Sequence, residues 1–320
     1  MRNTLAIFLV LLLTSTHCFL PVQHARQNKV YLLASIPAND VMTKNFVLTR
    51  DEVKPLIKLG KGETEKIVNA FGFVTFLATV VTGPIWMLAM SIVDMICNMN
   101  ENLDPNRALY DFTGKIWCRV WLTMCMSRPS VSGEISAIRE GHGPCLYVAN
   151  HASWLDIPII CTLVDPVFKF IAKAELSKVP CIGQQLKGGR HILIDRDDRR
   201  SQLRTFKEGI AWLKKGVPLM AFPEGQRSLD GRLMEFKGGI FSMATKANVP
   251  IVPISLCHTH AVMPANSFFP VQPGKGKLHI HVHKPISPEG LSETELAKLV
   301  RTALLSEMPE IQQPILKSVD

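Results

Sequence analysis

The sequence lacks the patterns of several common protein classes. Its 320 residues include eight cysteines but no CxxC pair, so it has neither the spacing of a zinc module nor that of a small disulfide scaffold. It contains only three tyrosines and no RRM-like, zinc-finger or helix-turn-helix signature, and we therefore expect no nucleic-acid partner. The GxSxG nucleophile elbow is also missing, which argues against a lipid hydrolase.

What the sequence does contain is apolar residues and positive charge. Hydrophobic residues make up 47% of the chain, and the formal net charge is +9. The apolar excess is concentrated before residue 95, which is typical of membrane contact rather than of a uniform soluble surface. The positive charge favours phosphate-rich partners such as lipid headgroups.

The N-terminus has the pattern of a targeting address. Arg2 precedes a short apolar run and then small polar residues, which predicts a signal peptide over residues 1–18, with a short membrane anchor as the alternative. Residues 19–50 begin with Phe19 and contain Asp40 as their only acid, a composition typical of a transit segment. The pair resembles the bipartite plastid presequences of algae with complex plastids. It implies a plastid membrane; without it we expect the endoplasmic reticulum membrane.

A long apolar segment follows the address. No charged residue lies between Ile67 and Val93, and a helix of that length at about 1.5 Å per residue would exceed the roughly 30 Å hydrocarbon core. Pro84 interrupts the segment, so two apolar helices that meet there and enter one leaflet are equally compatible with it. A buried core helix is the third alternative. We assign residues 51–126 as a membrane-associated helical region.

From about residue 127 onward, short apolar runs alternate with amphipathic stretches. Helical spacing is clear in Leu203, Phe206, Ile210 and Leu213, and again behind the capping box that begins at Ser292. Strands alternating with helices predict an α/β fold for residues 127–320. Six runs have the length and composition of strands: 145–149, 168–172, 191–194, 218–222, 251–256 and 278–282.

Polar residues follow the first of these strands directly. His151 and Asp156 lie in Asn-His-Ala-Ser-Trp-Leu-Asp, immediately after an apolar run, where open α/β sheets usually build their sites. Five residues of continuous helix would leave the two side chains about 140° apart, so a turn must intervene. The carboxylate can then orient the imidazole as a general base. Ser153 lies in no elbow motif and is interpreted as a loop hydrogen-bonder.

Two further elements occupy other strand ends. Phe-Pro-Glu-Gly-Gln-Arg-Ser, which contains Glu224, Gly225 and Arg227, follows one apolar run, and Arg196 follows another. Arg196 could bind a phosphate from the same rim. Basic residues farther along, Arg199, Arg200 and Arg204, are interpreted as a solvated face.

The order of these blocks resembles the glycerolipid acyltransferase family, and most closely the 1-acylglycerol-3-phosphate O-acyltransferases. The matching blocks cover roughly residues 145–255 and include NHxSWLD, the IDR block that ends at Arg196, FPEGxRS and Val-Pro-Ile-Val-Pro-Ile. The resemblance implies a mixed sheet flanked by helices, with His151 as the base, Asp156 as its partner, and a set of substrate-binding residues. That set is Arg196, Glu224, Gly225, Arg227 and, more weakly, Lys173.

The resemblance also implies the reaction. A fatty-acyl group would pass from acyl-ACP or acyl-CoA to the sn-2 hydroxyl of lysophosphatidic acid, giving phosphatidic acid, with membrane lipid and acyl carrier protein as partners. A thioester is already activated, so the acceptor needs only a base and correct placement, without a cofactor or a metal. The family usually has Thr at the position of Gln226, and this departure leaves the acceptor open.

Several alternatives remain from the sequence. Another lysophospholipid or glycerol 3-phosphate could be the acceptor, and a catalytically silent membrane-binding protein is the non-enzyme alternative. His279, His281 and His283 alternate along one predicted strand and would share a face, but no nearby Glu or Cys completes a metal site. We therefore expect no metal there.

Overall fold

The computed structural model describes residues 57–59, 66–100, 102–139, 143–164 and 167–315. The predicted signal peptide at 1–18 and transit segment at 19–50 lie outside the described residues and stay predictions. The described chain begins with a two-stranded antiparallel sheet of β1 (Ile57–Leu59) and β2 (Lys66–Val68).

Two long helices follow, α1 (Ala70–Met99) and α2 (Ala108–Met124). Helix α1 begins at Asn69, whose side-chain oxygen accepts a hydrogen bond from the Gly72 amide at 2.8 Å, an N-cap that satisfies a donor of the first turn. The helix continues through Pro84, so the segment is one helix and not two that meet at the proline. It is long and apolar enough to cross a membrane, and 33% of its most apolar window is buried.

Packing between the two helices explains why α1 stays continuous. The Trp86 ring stacks on Trp117 of α2 with centroids 4.3 Å apart, just beyond the proline. Trp117 and Trp121 also donate their indole N–H groups to threonine hydroxyls on α1, at 3.1 and 2.8 Å. Contacts on both sides of Pro84 therefore hold α1 against α2.

A seven-stranded mixed sheet forms the centre of the fold, in the order β3-β9-β8-β4-β7-β5-β6. Strands β8, β4, β7, β5 and β6 are mutually parallel, while β9 is antiparallel to β8 and β3 runs parallel to β9. All six predicted strands are present and the mixed sheet is confirmed. The strands are β3 (Ser130–Gly133), β4 (Leu146–Ala149), β5 (Lys169–Lys173), β6 (Ile192–Ile194), β7 (Leu219–Ala221), β8 (Ile251–Cys257) and β9 (His279–Val282).

The remaining helices cover the two faces of the sheet. They are α3 (Asp156–Leu163), α4 (Ile182–Gly188), α5 (Arg199–Lys214), α6 (Gly239–Ala247), α7 (Thr259–Val262) and α8 (Glu293–Glu307), with 3₁₀ turns at Ile135–Ile138, Ala174–Lys178 and Glu310–Gln312. One core cluster joins α2 and α3 to the sheet, and a second joins α5, α6 and α8 to its opposite face. The strands β4 and β8 are buried along their whole length, as expected for central strands of a layered α/β fold.

The buried face of α5 differs in one respect from the face predicted from the sequence. Leu203 was expected on the packed side, yet it is 55% exposed. The buried side passes instead through Ser201, Thr205 and Gly209 before it reaches Trp212. These small residues let α5 approach the sheet and α6 closely, and the helical spacing of apolar residues alone cannot reveal such a face.

A buried ion pair ties the helix α2 to the sheet. The ammonium group of Lys169, on β5, is fully buried and lies 2.6 Å from the carboxylate of Asp111, on α2. The ring of His191 completes the cluster, with Nε2 3.3 Å from the other Asp111 oxygen and Nδ1 accepting the Phe170 amide at 3.0 Å. Burial lowers the pKa of Lys169, and Asp111 opposes that shift. Helices α1 and α2, here called the helical pair, are therefore joined to the sheet by an ion pair as well as by apolar packing.

Candidate active site

The candidate site lies at one edge of the sheet. Strands β4, β5, β6 and β7 are parallel, so their carboxyl ends meet at one rim, where α/β folds place their sites. Each strand end supplies a residue singled out in the sequence: His151 after β4, Lys173 at the end of β5, Arg196 after β6, and Glu224 with its neighbours after β7. Parallel pairing thus brings residues distant in sequence to the same rim.

His151 and Asp156 contact each other directly. Nδ1 of His151 lies 2.7 Å from Oδ2 of Asp156, whose side chain is fully buried. The predicted turn is present, because Asp156 is the first residue of α3. The same carboxylate oxygen accepts the backbone amides of Ala152 and Ser153, each at 2.9 Å. Asp156 therefore fixes both the imidazole and the loop that carries it.

The surroundings of His151 keep it neutral. Its ring stacks on Phe222 with centroids 4.0 Å apart. Burial lowers the pKa of His151, and this outweighs the opposing effect of Asp156; the positive charges of Arg227 and Arg196 lower it further. A neutral imidazole that donates Nδ1–H to a carboxylate leaves Nε2 with a free lone pair. That is the protonation state of a general base.

Glu224 holds the His151 loop from the neighbouring strand end. Its carboxylate is buried, and Oε1 accepts the His151 amide at 2.6 Å while Oε2 accepts the Met234 amide at 2.9 Å. Burial raises the pKa of Glu224 to about 8, against the opposing effect of these two backbone donors. Both oxygens thus face the protein's own backbone, a positioning geometry, whereas the resemblance implies contact with substrate.

Other hydrogen bonds complete the support of the loop. The Ser228 amide donates to the His151 carbonyl at 2.8 Å, and the Asn150 side chain makes two hydrogen bonds with the backbone of Leu256 on β8. Ser153 donates its hydroxyl to the Met263 carbonyl at 2.7 Å, as expected for a loop hydrogen-bonder. The loop is therefore fixed to three different segments of the fold.

Arg227 presents its guanidinium group near His151 and Asp156. Its guanidinium carbon lies 5.3 Å from the centre of the Trp154 ring, a cation–π contact. Burial lowers the pKa of Arg227, partly offset by the charge of Asp156. One buried guanidinium nitrogen, Nη1, has no hydrogen-bond partner among the described residues. A buried donor without a partner is costly, and an anionic ligand would satisfy it.

The other predicted site residues occupy the same rim. Arg196 interacts electrostatically with both His151 and Glu175, while Lys173 forms a half-exposed ion pair with Glu175 at 3.0 Å. Gly225 has φ +75°, a left-handed conformation that favours glycine, and it lets the chain turn between Glu224 and Arg227. The side chain of Gln226, which departs from the family pattern, is exposed.

Lys66 is a residue that the sequence analysis missed. It lies on β2, outside the seven-stranded sheet. Burial lowers the pKa of Lys66, and the positive charge of Arg227 lowers it further. Its ammonium group also lies 5.5 Å from the centre of the Phe268 ring. In the sequence Lys66 only marks the start of the apolar segment, so no local signal connects it with the rim.

The three alternating histidines have hydrogen-bonding partners. His279 contacts the hydroxyls of Ser130 and Ser132, His281 contacts Ser132, and His283 contacts Ser255, all at 2.8–3.0 Å. Among the described residues, no group of three or more His, Cys, Asp or Glu side chains is arranged to hold a metal ion.

Known proteins resemble this chain in sequence. Residues 129–257 match the family model described as Acyltransferase. The chain is 41% identical over 166 residues to a 1-acyl-sn-glycerol-3-phosphate acyltransferase of Chlamydomonas reinhardtii, covering 52% of this chain and 49% of the relative. A chloroplastic 1-acyl-sn-glycerol-3-phosphate acyltransferase of Arabidopsis thaliana is 35% identical over 184 residues, covering 57% and 50%. The chain thus spans about half the length of these curated relatives.

A solved structure extends the likeness to the fold. The 1-acyl-sn-glycerophosphate acyltransferase PlsC of Thermotoga maritima superimposes with a TM-score of 0.56 at 27% identity, over 74% of this chain and 99% of that one. The likeness therefore reaches well beyond the residues that match the family model.

Proposed function

Because residues 129–257 form a domain of the acyltransferase family, we propose that this protein transfers a fatty-acyl group from acyl-ACP or acyl-CoA to the sn-2 hydroxyl of 1-acylglycerol 3-phosphate, giving phosphatidic acid. The observation that carries the proposal is the 2.7 Å contact between His151 and Asp156 at a rim that also holds two arginines. The names of the relatives support this choice of reaction.

In the proposed mechanism His151 is the general base. Asp156 holds the Nδ1 proton, so Nε2 removes the proton from the acceptor hydroxyl as its oxygen attacks the thioester carbonyl carbon. The new ester C–O bond forms and the C–S bond breaks. The imidazolium then returns the proton to the departing thiolate. The protein itself supplies no nucleophile and forms no covalent intermediate.

The basic residues of the rim bind the acceptor phosphate in this proposal. Arg227 is best placed, because a guanidinium with an unused buried donor can make charge-assisted bonds to phosphate oxygens. Arg196 and Lys173 flank the phosphate, with Lys66 as an additional positive charge. Gly225 allows the turn that brings Arg227 to the rim. We assign Glu224 a positioning role, through the His151 amide.

The exposed Gln226 favours one alternative acceptor class. Its side chain is longer than the usual Thr, is exposed, and lies next to Arg227 in sequence, so it could contact the headgroup of another lysophospholipid. Glycerol 3-phosphate is a further alternative acceptor. A catalytically silent membrane-binding protein is the non-enzyme alternative, and the intact geometry around His151 argues against it.

We infer that the helical pair places the site at a membrane. Exposed apolar side chains recur at helical spacing along both α1 and α2, and this set of residues is here called the apolar stripe. It consists of Val74, Leu77, Val81, Ile85, Leu88, Ile92, Met95 and Met99 on α1 and Leu109, Phe112, Ile116, Val120 and Met124 on α2. Exposed apolar patches mark protein–protein or membrane contacts, and the lipid substrates of the proposed reaction favour a membrane here. The other side of α1 packs on α2 and α4 around Met90 and Cys97, which favours insertion into one leaflet over a complete crossing.

The proposed location is a plastid membrane, supported by the chloroplastic relative. We also propose residues 51–126 as the membrane-associated region and 127–320 as the acyltransferase domain. N-terminal sequencing of the mature protein from its host should find neither residues 1–18 nor most of 19–50. An intact Met1 in the mature chain would overturn the targeting proposal.

One experiment tests the proposed reaction. The purified protein in detergent is given 1-acylglycerol 3-phosphate with acyl-ACP or acyl-CoA, and phosphatidic acid is measured by mass spectrometry. We expect product from the wild type, a loss of about a thousandfold or more in His151→Ala, and near wild-type rates in His281→Ala, a control histidine on β9. Glycerol 3-phosphate and other lysophospholipids are tested in parallel. Product from none of these acceptors, or an unimpaired His151→Ala variant, would overturn the proposal.

A further inference from the structure

We propose that the exposed face of α5 is the docking surface for an acidic acyl carrier protein, which delivers the acyl thioester to the rim. This inference rests on the proposed acyltransferase function and assigns its donor. The surface, here called the basic face of α5, consists of Arg200, Leu203, Arg204 and Lys207. These residues line a shallow groove together with Glu208.

The charges of the basic face are available to a partner. Arg200, Arg204 and Lys207 are exposed, and none of them forms an ion pair with any residue in the described part of the chain. Glu208 is the only acid within α5, and Asp198 just before it is engaged as the N-cap, accepting the Arg200 amide at 2.8 Å. Positive charge without internal partners attracts an acidic surface and accelerates its association.

An exposed apolar residue lies in the middle of these charges. Leu203 is 55% exposed because the small side chains of Ser201, Thr205 and Gly209 form the packed side of α5. Arg200, Leu203, Arg204 and Lys207 follow the spacing of one helical face. One apolar side chain surrounded by basic ones has the arrangement of a protein interface, an apolar centre with a polar rim, and its charge is complementary to an acidic partner.

The basic face is continuous with the candidate site. The Asp195 amide donates to the Ser201 hydroxyl at 2.9 Å, and the Gln202 side chain donates to the Arg196 carbonyl at 2.7 Å. The first turn of α5 is therefore bonded to the segment that presents Arg196 at the rim. A carrier bound on this face would hold its thioester arm next to the site, so that delivery becomes nearly intramolecular.

The layers of the fold favour a protein partner over a lipid surface. Helix α5 packs through Trp212 and Leu213 on one face of the sheet, whereas α2 packs through Trp121 and Leu122 on the other. The apolar stripe and the basic face thus belong to opposite layers. If the apolar stripe contacts the membrane, the basic face is left to the aqueous side, where a soluble carrier can reach it.

The test compares two donors with the same acyl chain. Steady-state kinetics of the full chain are measured with acyl-ACP and acyl-CoA for the wild type, for Arg204→Glu/Lys207→Glu, and for the control Lys284→Glu/Lys298→Glu, which makes the same change in net charge at exposed positions elsewhere. We expect the KM for acyl-ACP to rise about tenfold or more at low ionic strength in the test variant alone, and the difference to shrink as salt is added. The kinetics with acyl-CoA should change less than about twofold.

Two further measurements separate the possible failures. Titration of acyl carrier protein against each variant reports docking without catalysis, and sedimentation with anionic phosphatidylglycerol vesicles reports lipid binding. Equal changes with both donors, an unchanged KM for acyl-ACP, or a selective loss of vesicle binding by the test variant would each overturn the docking proposal. If the wild type transfers an acyl group from neither acyl-ACP nor acyl-CoA, the proposed function is refuted. The titration with acyl carrier protein would still decide the docking surface.

Discussion

Replacement of Asp156 by asparagine tests the proposed base most directly. The side chain keeps its size, and one amide oxygen can still accept the Ala152 and Ser153 amides that the carboxylate now accepts. What disappears is the negative charge next to His151 Nδ1. The substitution therefore separates the electrostatic role of Asp156 from its role in holding the loop.

The magnitude follows from the charge that develops during the reaction. As the imidazole becomes imidazolium, its centre of charge lies about 4 Å from the carboxylate, where an effective dielectric constant of about 20 gives roughly 4 kcal/mol of attraction. Each 1.36 kcal/mol corresponds to a factor of ten in rate. We expect kcat to fall about 30- to 10³-fold, the lower value applying if proton transfer is only half complete in the transition state.

The assay measures kcat for acyl transfer with both substrates saturating, and thermal unfolding confirms that the variant is folded. Because His151 and Asp156 act as a unit, His151→Ala/Asp156→Asn should be no slower than His151→Ala alone. A folded Asp156→Asn enzyme that keeps more than about a tenth of the wild-type kcat, or a double variant slowed by the product of the two single effects, would refute the reasoning.

The remaining predictions concern the pH dependence, the buried ion pair and the phosphate. Burial lowers the pKa of His151, so protonation of this base should reduce kcat/KM only below the ordinary histidine pKa of about 6.5. A decline in kcat/KM centred above that pH would contradict a base that is neutral at pH 7. Lys169→Met alone should destabilise the fold by about 3–5 kcal/mol, because it leaves the buried Asp111 carboxylate without its ammonium partner. Lys169→Met/Asp111→Leu should recover much of that loss in denaturant unfolding, and equal losses in the two variants would argue against a stranded charge at Asp111. Arg227→Lys should raise the acceptor KM roughly tenfold, since a lysine cannot bind phosphate in a bidentate way, and should leave the donor KM unchanged; equal effects on both substrates would argue against a phosphate contact.

The elements best predicted from the sequence are the strands in which every residue is buried. The strands that end near His151 and Glu224 are buried on both faces, so they appear as continuous apolar runs bounded by polar residues. The strand β3, Ser130–Gly133, was missed because it lies at an edge, is mostly exposed and contains serine and glycine. Its pairing with β9 depends on partners far away in the sequence.

In the candidate site, too, contacts between residues close in sequence could be predicted and long-range contacts could not. The contact between His151 and Asp156 spans five residues, and a turn at a strand end was enough to predict it. The role of Glu224 depends on a hydrogen bond to a backbone amide 73 residues away, and the motif alone gave no reason to expect a backbone partner. The charge of Arg227 acts on Lys66 from far along the sequence, and the strand that carries Lys66 is held by the pairing of Ile67 with Ser267. Such long-range backbone contacts leave no local pattern.

The buried pair of Lys169 and Asp111 decides where the protein can be divided. A chain cut just after α2 would keep every residue of the candidate site except Lys66, yet it would lose the only described carboxylate within ion-pair distance of the fully buried Lys169 ammonium group. The same cut would remove Trp121 and Leu122 from the core cluster on that face of the sheet. Deletion of the apolar helices should therefore destabilise the rest of the fold, so it is a poor route to a soluble form. A soluble form requires instead polar replacements along the apolar stripe itself, which leave Asp111 in place.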